Sequence, residues 1–315
     1  MWKAYNSTMR ERVEWPTLAV ASAIAAGLAA TLSLHEQLPA VAEIVVLGVL
    51  AAWYGSLQHE VIHGHPTPWP RINTAVAIVP LGIVVPYRPY RASHLAHHRV
   101  AELTDPEDDP ESWYVTPEAW TSAGPVRRWY LAVMRTLLGR LVLGPPVVAA
   151  RWVGLGMRNA RTPQGAVRVA GHVAAVAAVL IVVRASGMAL WSYVIAVVWV
   201  GGALTLLRSF AEHRLTDAGP RSAIVRTGRF FSLLYLNNNL HHTHHARPGV
   251  SWFELPAADA ELGADDAVAA GAGLYAGYGE IARRFLLRPL DAPVHRTGSM
   301  EPWTSSTTPA TTGTA

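Results

Sequence analysis

Four long apolar segments decide what kind of fold this chain can adopt. They cover residues 16–34, 39–57, 166–183 and 188–207. Each approaches the roughly 20 apolar residues that an α-helix needs to cross the hydrocarbon core of a bilayer. Apolar residues make up 51% of the 315 residues and charged residues only 15%. We therefore predict an all-α integral membrane fold with about four transmembrane helices, accompanied by interfacial helices.

The first apolar segment has a competing interpretation as a secretory signal peptide, because a basic stretch precedes it. It is long for a signal peptide, and a second apolar segment follows almost at once, which favours a transmembrane hairpin. The connector at residues 35–38 carries no Lys or Arg, whereas residues 58–165 carry eleven arginines. The positive-inside rule then predicts that both termini and residues 58–165 are cytosolic, in a cell inner membrane.

Composition also excludes several kinds of site. The chain has no cysteine, which rules out disulfides, thiolate zinc sites, iron–sulfur clusters and cysteine nucleophiles. Any transition metal must be held by imidazole and carboxylate groups. The net charge of +4 comes mainly from arginines beside apolar segments. This placement favours anionic lipid headgroups over nucleic acid as the partner of the basic surface.

Two further apolar stretches are too short or too interrupted to span. Residues 74–86 suit a re-entrant or interfacial segment. Residues 129–152 mix apolar residues with arginines, and we predict helices that lie on the cytosolic interface and break at Pro145 and Pro146.

The C-terminal part of the chain contains none of these apolar segments. We predict one domain over residues 1–288 and a disordered tail over residues 289–315, which are rich in Ser, Thr and Pro. We also expect the chain after Pro256 to be dispensable to the chemistry.

Most of the histidines fall in three short motifs. The first motif, HEVIH, places two imidazoles at positions i and i+4. The other two, HLAHH and HHTHH, each contain the spacing HxxHH, which puts three imidazoles on one face of a helix. These histidines are His59, His63, His94, His97, His98, His241, His244 and His245. The predicted topology brings all three motifs to the cytosolic side, where they can meet.

His213 follows the fourth apolar segment, on the same side of the membrane. A histidine favoured by the dipole at a helix C-terminus is the alternative to a metal ligand here. With His213 there are nine candidate ligands, more than one ion takes, so two metal ions are the economical interpretation. Imidazole ligation suits iron, copper, nickel or zinc, and the residues alone leave these open.

The remaining histidines have weaker claims. His65 follows a glycine and precedes a proline, and we place it outside the ligand set. His242 lies about 100° round the helix from its neighbour, so we expect it to be exposed or to support a ligand. His172 lies within an apolar segment as a packed or functional polar group. We treat His35 and His295 as incidental.

HEVIH also matches HExxH, the zinc metalloprotease signature in which the glutamate is a general base. One zinc takes about four ligands and would leave the other histidine motifs without a role. An intramembrane zinc protease and a His-rich metal carrier nevertheless stay open as alternatives. Glu60, Glu212 and the acidic run Asp105–Asp109 are candidates to orient the imidazoles, although a solvated turn explains the acidic run equally well.

The ordered set HEVIH, HLAHH and LHHTHH, split by apolar hairpins, resembles the membrane fatty acid desaturase superfamily, which also includes hydroxylases and ketolases. HHRVAELTDPEDDPESW is similar to the second histidine box of that superfamily and the loop after it. HHTHHARPGVSWFELP is similar to the third box, and AEHR resembles its additional histidine. The resemblance covers roughly residues 16–256. In this chain the first box has three residues between its histidines, where the best-known acyl-CoA desaturases have four.

This resemblance implies that the nine histidines hold two Fe²⁺ ions and that O₂ is a co-substrate. It implies oxidation of an unactivated C–H bond of a fatty acyl chain or lipid, giving an alkene or, in a hydroxylase, an alcohol. Electrons would come from a separate ferredoxin, rubredoxin or cytochrome. One residue of Asn237–Asn239 would contact a metal-bound water. We also expect an apolar tunnel for the substrate, passing Trp199, Gly201 and Gly202.

Overall fold

The computed structural model describes residues 12–216 and 220–295. In chain order its helices are α1 (Trp15–Leu34), α2 (Ala40–Ile62), α3 (Pro70–Ala77), α4 (Tyr87–His97), α5 (Pro117–Thr121), α6 (Pro125–Val133), α7 (Leu137–Asn159), α8 (Pro163–Ala185), α9 (Leu190–Val194), α10 (Gly201–Glu212), α11 (Arg229–Leu234), α12 (His241–Ala246), α13 (Leu255–Leu262), α14 (Ala264–Ala269) and α15 (Tyr278–Phe285). A 3-10 turn (His35–Gln37) follows α1, and a π-helical stretch (Ile195–Val200) joins α9 to α10. Two short strands, β1 (Ala223–Val225) and β2 (Gly273–Tyr275), pair in parallel.

Within the part of the chain that the structure describes, four continuous helical segments are long and apolar enough to cross a membrane, which confirms the predicted all-α membrane architecture. They are α1 with its 3-10 turn, α2, α8, and the unit formed by α9, the π-helical stretch and α10. The second and fourth spans extend further than the apolar segments indicate, ending at Ile62 and Glu212. These extensions carry the first histidine motif, and the residues just before His213, to one end of the helix bundle.

The second and fourth spans cross where glycines allow close approach. A β-carbon at Gly48 of α2 would lie 2.4 Å from Val200 Cγ1, and one at Gly201 would lie 3.1 Å from the Gly48 carbonyl oxygen. Small residues permit such contacts between membrane helices. The expected tunnel past Gly201 is wrong, because that glycine is used for helix packing and Trp199 is 44% exposed on the outside of the bundle.

Helix α7 continues through Pro145 and Pro146, so the predicted break at these residues is wrong. Pro145 is buried and faces Gly202 of α10, where a β-carbon would lie 3.1 Å from the proline ring. The packing of α7 along α10 therefore holds the helix in place despite the two missing backbone donors. The sharp change of direction lies earlier, at a bend of 107° between α6 and α7.

The short apolar stretch at residues 74–86 completes α3 and then runs as irregular backbone from residue 78 to residue 86. Side chains from three spans donate hydrogen bonds to its backbone carbonyls, namely Gln58 at 2.7 Å, Tyr193 at 2.8 Å and His172 at 3.0 Å. Irregular backbone at membrane depth needs such protein partners. His172 is therefore a packing group that anchors this segment.

The C-terminal part of the described chain is integral to the fold. Strand β2 pairs with β1, and Asp291 forms an ion pair with Arg135. The amide of His295 donates to the Val115 carbonyl at 2.9 Å. The chain after Pro256 is therefore built into the packed structure, which extends beyond the predicted domain boundary at residue 288. The rest of the predicted tail, residues 296–315, lies outside the described residues.

Candidate metal centre

Three helices and one extended residue position the nine candidate histidines. His59 lies in the last turn of α2 and His63 directly follows that helix. Helix α4 carries His94 and His97, with His98 as its C-terminal cap residue, and α12 carries the third triplet. His213 follows α10 in extended conformation and forms an isolated β-bridge with Ser222. Both HxxHH motifs thus lie at helical turns, as their spacing predicts.

The nine imidazoles form two compact groups. The first group is His59, His63, His94, His98 and His244, and the second group is His97, His213, His241 and His245. Within each group, one nitrogen from every residue lies within 4.8 Å of the others. Neighbouring Nε2 atoms are 3.0 Å apart between His94 and His98 and 2.9 Å apart between His213 and His241.

The two groups adjoin each other. The rings of His98, from the first group, and His245, from the second, stack with centroids 4.2 Å apart. Both groups contain only imidazoles, and every histidine that the sequence nominates as a ligand belongs to one of them. Such nitrogen-only clusters can hold metal ions of the borderline-soft class.

Polar partners on the far side of the rings orient three of the imidazoles. His97 Nδ1 lies 2.7 Å from Asp109 Oδ1, His94 Nδ1 lies 3.0 Å from Glu111 Oε1, and His241 Nδ1 lies 3.1 Å from Asn238 Oδ1. These oxygens accept the Nδ1 protons and so leave each Nε2 lone pair directed into its group. This is the arrangement that metal-binding histidines commonly use.

Electrostatics keep most of the imidazoles neutral. Burial, reinforced by neighbouring rings, lowers the pKa of His98 and of His213 to about 3 and lowers the pKa of His244 well below its ordinary value. His97 differs: burial is the largest single effect and lowers its pKa, but the hydrogen bond to Asp109 and the negative charges of Glu111, Asp109 and Glu212 together outweigh burial, so the pKa is raised overall. Neutral imidazole is the form that binds metal.

Glu60, the glutamate of the HExxH match, belongs to neither group. Its Oε2 accepts the backbone N–H of Trp252 at 3.1 Å, and its Oε1 lies 3.8 Å from His59 Nδ1, too far for a hydrogen bond. His59 and His63 share their group with three further imidazoles. This geometry does not match a zinc protease site, in which the glutamate would face the metal-bound water.

The histidines set aside from the ligand set also have defined positions. His65 turns inward, but its Nδ1 pairs with Glu14 Oε1 at 2.6 Å and not with the metal groups. His242 is half-buried and pairs with Ser222 Oγ at 2.8 Å. His35 contacts a backbone carbonyl near the start of the fourth span. Among the described residues, His295 lies with Glu102 and Asp105 in a third, separate cluster.

The acidic run is more than a solvated turn, although only part of it reaches the histidines. Asp109 does so, whereas Asp105 accepts backbone N–H groups of its own loop. Glu212 lies 3.5 Å from His241 Nδ1 and also pairs with Arg208 at 2.9 Å.

Glu111 was not singled out in the sequence, and Asn238 was considered only as part of the run Asn237–Asn239 and not as a support for a ligand. Glu111 lies two residues beyond Asp109, and Asn238 lies three residues before His241, in the turn that precedes α12. The closeness of Asn238 to His241 in sequence was a usable signal, because a ligand histidine usually has a polar partner at its other ring nitrogen.

Asn238 also refines the expectation for the asparagine run. Its side chain supports His241, while Asn237 donates to the Trp252 carbonyl and Asn239 donates to the Val225 carbonyl, each by its side-chain amide. The Nδ2 atom of Asn238 is buried without a hydrogen-bond partner. Asn238 is thus the residue of the three with a free donor beside a candidate ligand.

Comparison with known proteins agrees with this geometry. The family model for fatty acid desaturases matches residues 37–275, about three quarters of the chain. No curated protein matches the sequence. The match spans both histidine groups, three of the four membrane spans and the acidic loop. Members of this family are oxidoreductases of the desaturase or hydroxylase type that typically use iron, and this integral membrane chain belongs to the fatty acid desaturase family.

Proposed function

We propose that this protein catalyses the O₂-dependent desaturation of a fatty acyl chain or lipid at a diiron centre held by nine histidines. The observation that carries this proposal is the pair of adjoining imidazole groups at one end of the apolar helix bundle. Hydroxylation by the same centre is the alternative outcome within the family.

The residues present fit two iron ions. The donors are neutral nitrogen ligands, they separate into groups of five and four, and His59 Nε2 is buried without a hydrogen-bond partner, as expected of an atom that awaits a metal. The first group would hold one ion and the second group the other. When bound, the irons would supply the O₂ reduction and C–H oxidation that no side chain can perform.

The chain itself would position and shield the reaction. Asp109, Glu111 and Asn238 hold three imidazoles in the tautomer and orientation required for ligation. Five of the nine imidazoles are buried, with His59 and His97 at most 1% exposed, and the other four are half-buried, so water has little access to the site. A dry site strengthens the electrostatic interactions within it and protects reactive species from hydrolysis.

Electrons have to reach this buried site from another protein. We propose a ferredoxin, rubredoxin or cytochrome as the donor, because the described residues contain no haem or iron–sulfur ligation apart from the two imidazole groups. We further propose that the protein lies in a cell inner membrane with the metal centre and both termini on the cytosolic side. The arginine distribution along the sequence supports that orientation.

Lipid analysis of a host that expresses the gene tests the function. We expect a new alkene product about two mass units lighter than its precursor, whereas an alcohol about sixteen units heavier would identify a hydroxylase. His244→Ala and His97→Ala, one from each imidazole group, should abolish oxidation while the protein still inserts into the membrane. His242→Ala is the matched control, because this ring lies in the same motif but outside both groups, and it should retain activity.

Two outcomes would contradict the proposal. Oxidation that persists in both His244→Ala and His97→Ala would refute the ligand assignment. A protein that binds one zinc ion and cleaves peptides without consuming O₂ would be the intramembrane protease instead.

A further inference from the structure

Arg140, at the start of α7, is a buried arginine that forms no ion pair with the described residues. Its side chain is 1% exposed, and its Nε donates to the Met134 carbonyl at 3.0 Å. The Nη2 atom is buried and has no hydrogen-bond partner. Among residues 12–216 and 220–295, no carboxylate forms an ion pair with this guanidinium. A buried charge destabilises the folded protein unless a group of opposite charge pairs with it.

The surroundings of Arg140 add positive charge. Its guanidinium lies 3.8 Å from the ring centroid of Trp113, and that of Arg151 lies 5.1 Å from the same ring. The nearby Arg135 is neutralised by Asp291, but Arg151 has no carboxylate partner among the described residues. Two cations therefore share one aromatic ring, and Asp291, whose charge also acts on Arg140, is already paired with Arg135. Ring faces stabilise cations, yet they leave the N–H groups in the guanidinium plane unsatisfied.

The cluster extends from the interior to the surface, beside the metal centre. Arg140 is buried, Trp113 is half-buried and Arg151 is exposed. Trp113 lies two residues after Glu111, which supports His94. On its other side, Arg140 lies 5.7 Å from the ring of Phe210, which precedes His213 by three residues. Residues close in sequence to Trp113 and Phe210 thus belong to the surroundings of the histidine groups.

We propose that Arg140 and Arg151 bind an oxyanion, a carboxylate or a phosphate, at the polar end of the acyl substrate. The planar guanidinium forms paired hydrogen bonds with either group. Arg151 would meet the anion at the surface, and Arg140 would hold it deeper, with Trp113 between them. This inference rests on the proposed function, because it assigns a headgroup to the lipid that the metal centre oxidises.

Ligand-induced stabilisation of the purified protein in a neutral maltoside detergent tests the site without turnover. The probes are two matched pairs with equal acyl chains: palmitate against palmityl alcohol, and phosphatidate against diacylglycerol. We expect the wild type to bind one anionic member about 10- to 100-fold more tightly than its neutral partner, the range that charged hydrogen bonds supply. The pair that shows the preference identifies the anion as carboxylate or phosphate.

Substitutions assign the preference to its residues. Arg140→Met should abolish it, and Arg140→Lys should keep only part of it because lysine lacks the planar fork. Arg151→Gln changes an exposed side chain, so folding is not at risk, and it should weaken the preference several-fold. Arg158→Gln, an exposed arginine in the last turn of the same helix, should leave the preference unchanged.

The ligand-free melting temperature separates this proposal from a purely structural role. If Arg140 is an uncompensated charge that awaits an anion, Arg140→Met should melt at the wild-type temperature or above it. A lower melting temperature together with an unchanged anion preference would make Arg140 a core residue only and would overturn the proposal. An unchanged preference in both Arg140→Met and Arg151→Gln would also overturn it.

Product analysis on the same preparations distinguishes failure of this site from failure of the proposed function. Equal oxidation of the acid and the alcohol, without any anion preference in binding, would support the proposed function and refute the anion site. An anion preference that depends on Arg140, with no oxidised product from any lipid, would support the anion site and refute the proposed function.

Discussion

Asp109 gives the sharpest test of how the protein holds its metal ligands. Its Oδ1 accepts from His97 Nδ1 at 2.7 Å and from the Glu111 amide at 2.9 Å, and its Oδ2 accepts from the Thr104 amide at 2.9 Å. An asparagine has one oxygen, so Asp109→Asn turns an NH₂ group towards at least one of these three donors. A buried donor without an acceptor costs about 1–3 kcal/mol. This penalty lowers stability. Loss of the partner that orients a ligand histidine also typically weakens metal binding about 10- to 100-fold, and we expect a loss in that range for Asp109→Asn.

Competition with an iron chelator measures this affinity on purified protein. Asp108→Asn is the matched control, because Asp108 precedes Asp109 in the same loop, is exposed and belongs to none of the three candidate metal clusters among the described residues. We expect the control to bind iron like the wild type and Asp109→Asn to lose iron at a lower chelator concentration. Wild-type affinity in Asp109→Asn would refute the conclusion that this carboxylate orients His97.

Three further predictions concern the fold around the site. The Glu14 carboxylate is 4% exposed and accepts hydrogen bonds from three side chains. Glu14→Gln should therefore lower the free energy of unfolding by about 1–3 kcal/mol. Glu36 is exposed, so Glu36→Gln should have little effect on the melting temperature. A stop after residue 288 removes the partner of Arg135 and should lower the melting temperature below that of the full chain. Equal melting would contradict the packing of residues 289–295. The pKa of buried His98 is lowered from 6.5 to about 3, so the unfolded chain binds the proton first. Metal-free protein should therefore lose stability as the pH falls below about 6.5, and a rise in its melting temperature over that range would contradict the burial of neutral imidazoles.

Local spacing made the metal centre predictable. The offsets in HxxHH put three rings on one side of any helix, so the formation of α4 and α12 was enough to align the rings of each triplet. The apolar segments then set which ends of the helices share a membrane face. These two constraints were sufficient to nominate all nine histidines that the structure brings together.

Contacts between distant parts of the chain were not predictable in the same way. Glu14 meets Ser251 across 237 residues, and Arg135 meets Asp291 across 156 residues, and neither pair follows a periodic pattern. The helix through Pro145 is another case, because a neighbouring helix outweighs the local tendency of proline to break it. Arg140 belongs here too, since no sequence pattern distinguishes a buried arginine from an interfacial one.

The metal content of the purified protein tests the central claim most directly. With five imidazoles in one group and four in the other, we predict about two iron ions per chain, and about one per chain after His97→Ala, which leaves only three imidazoles in its group. One zinc ion per chain in a catalytically active preparation would contradict the account, because a single zinc takes about four ligands and would leave the second imidazole group without a function.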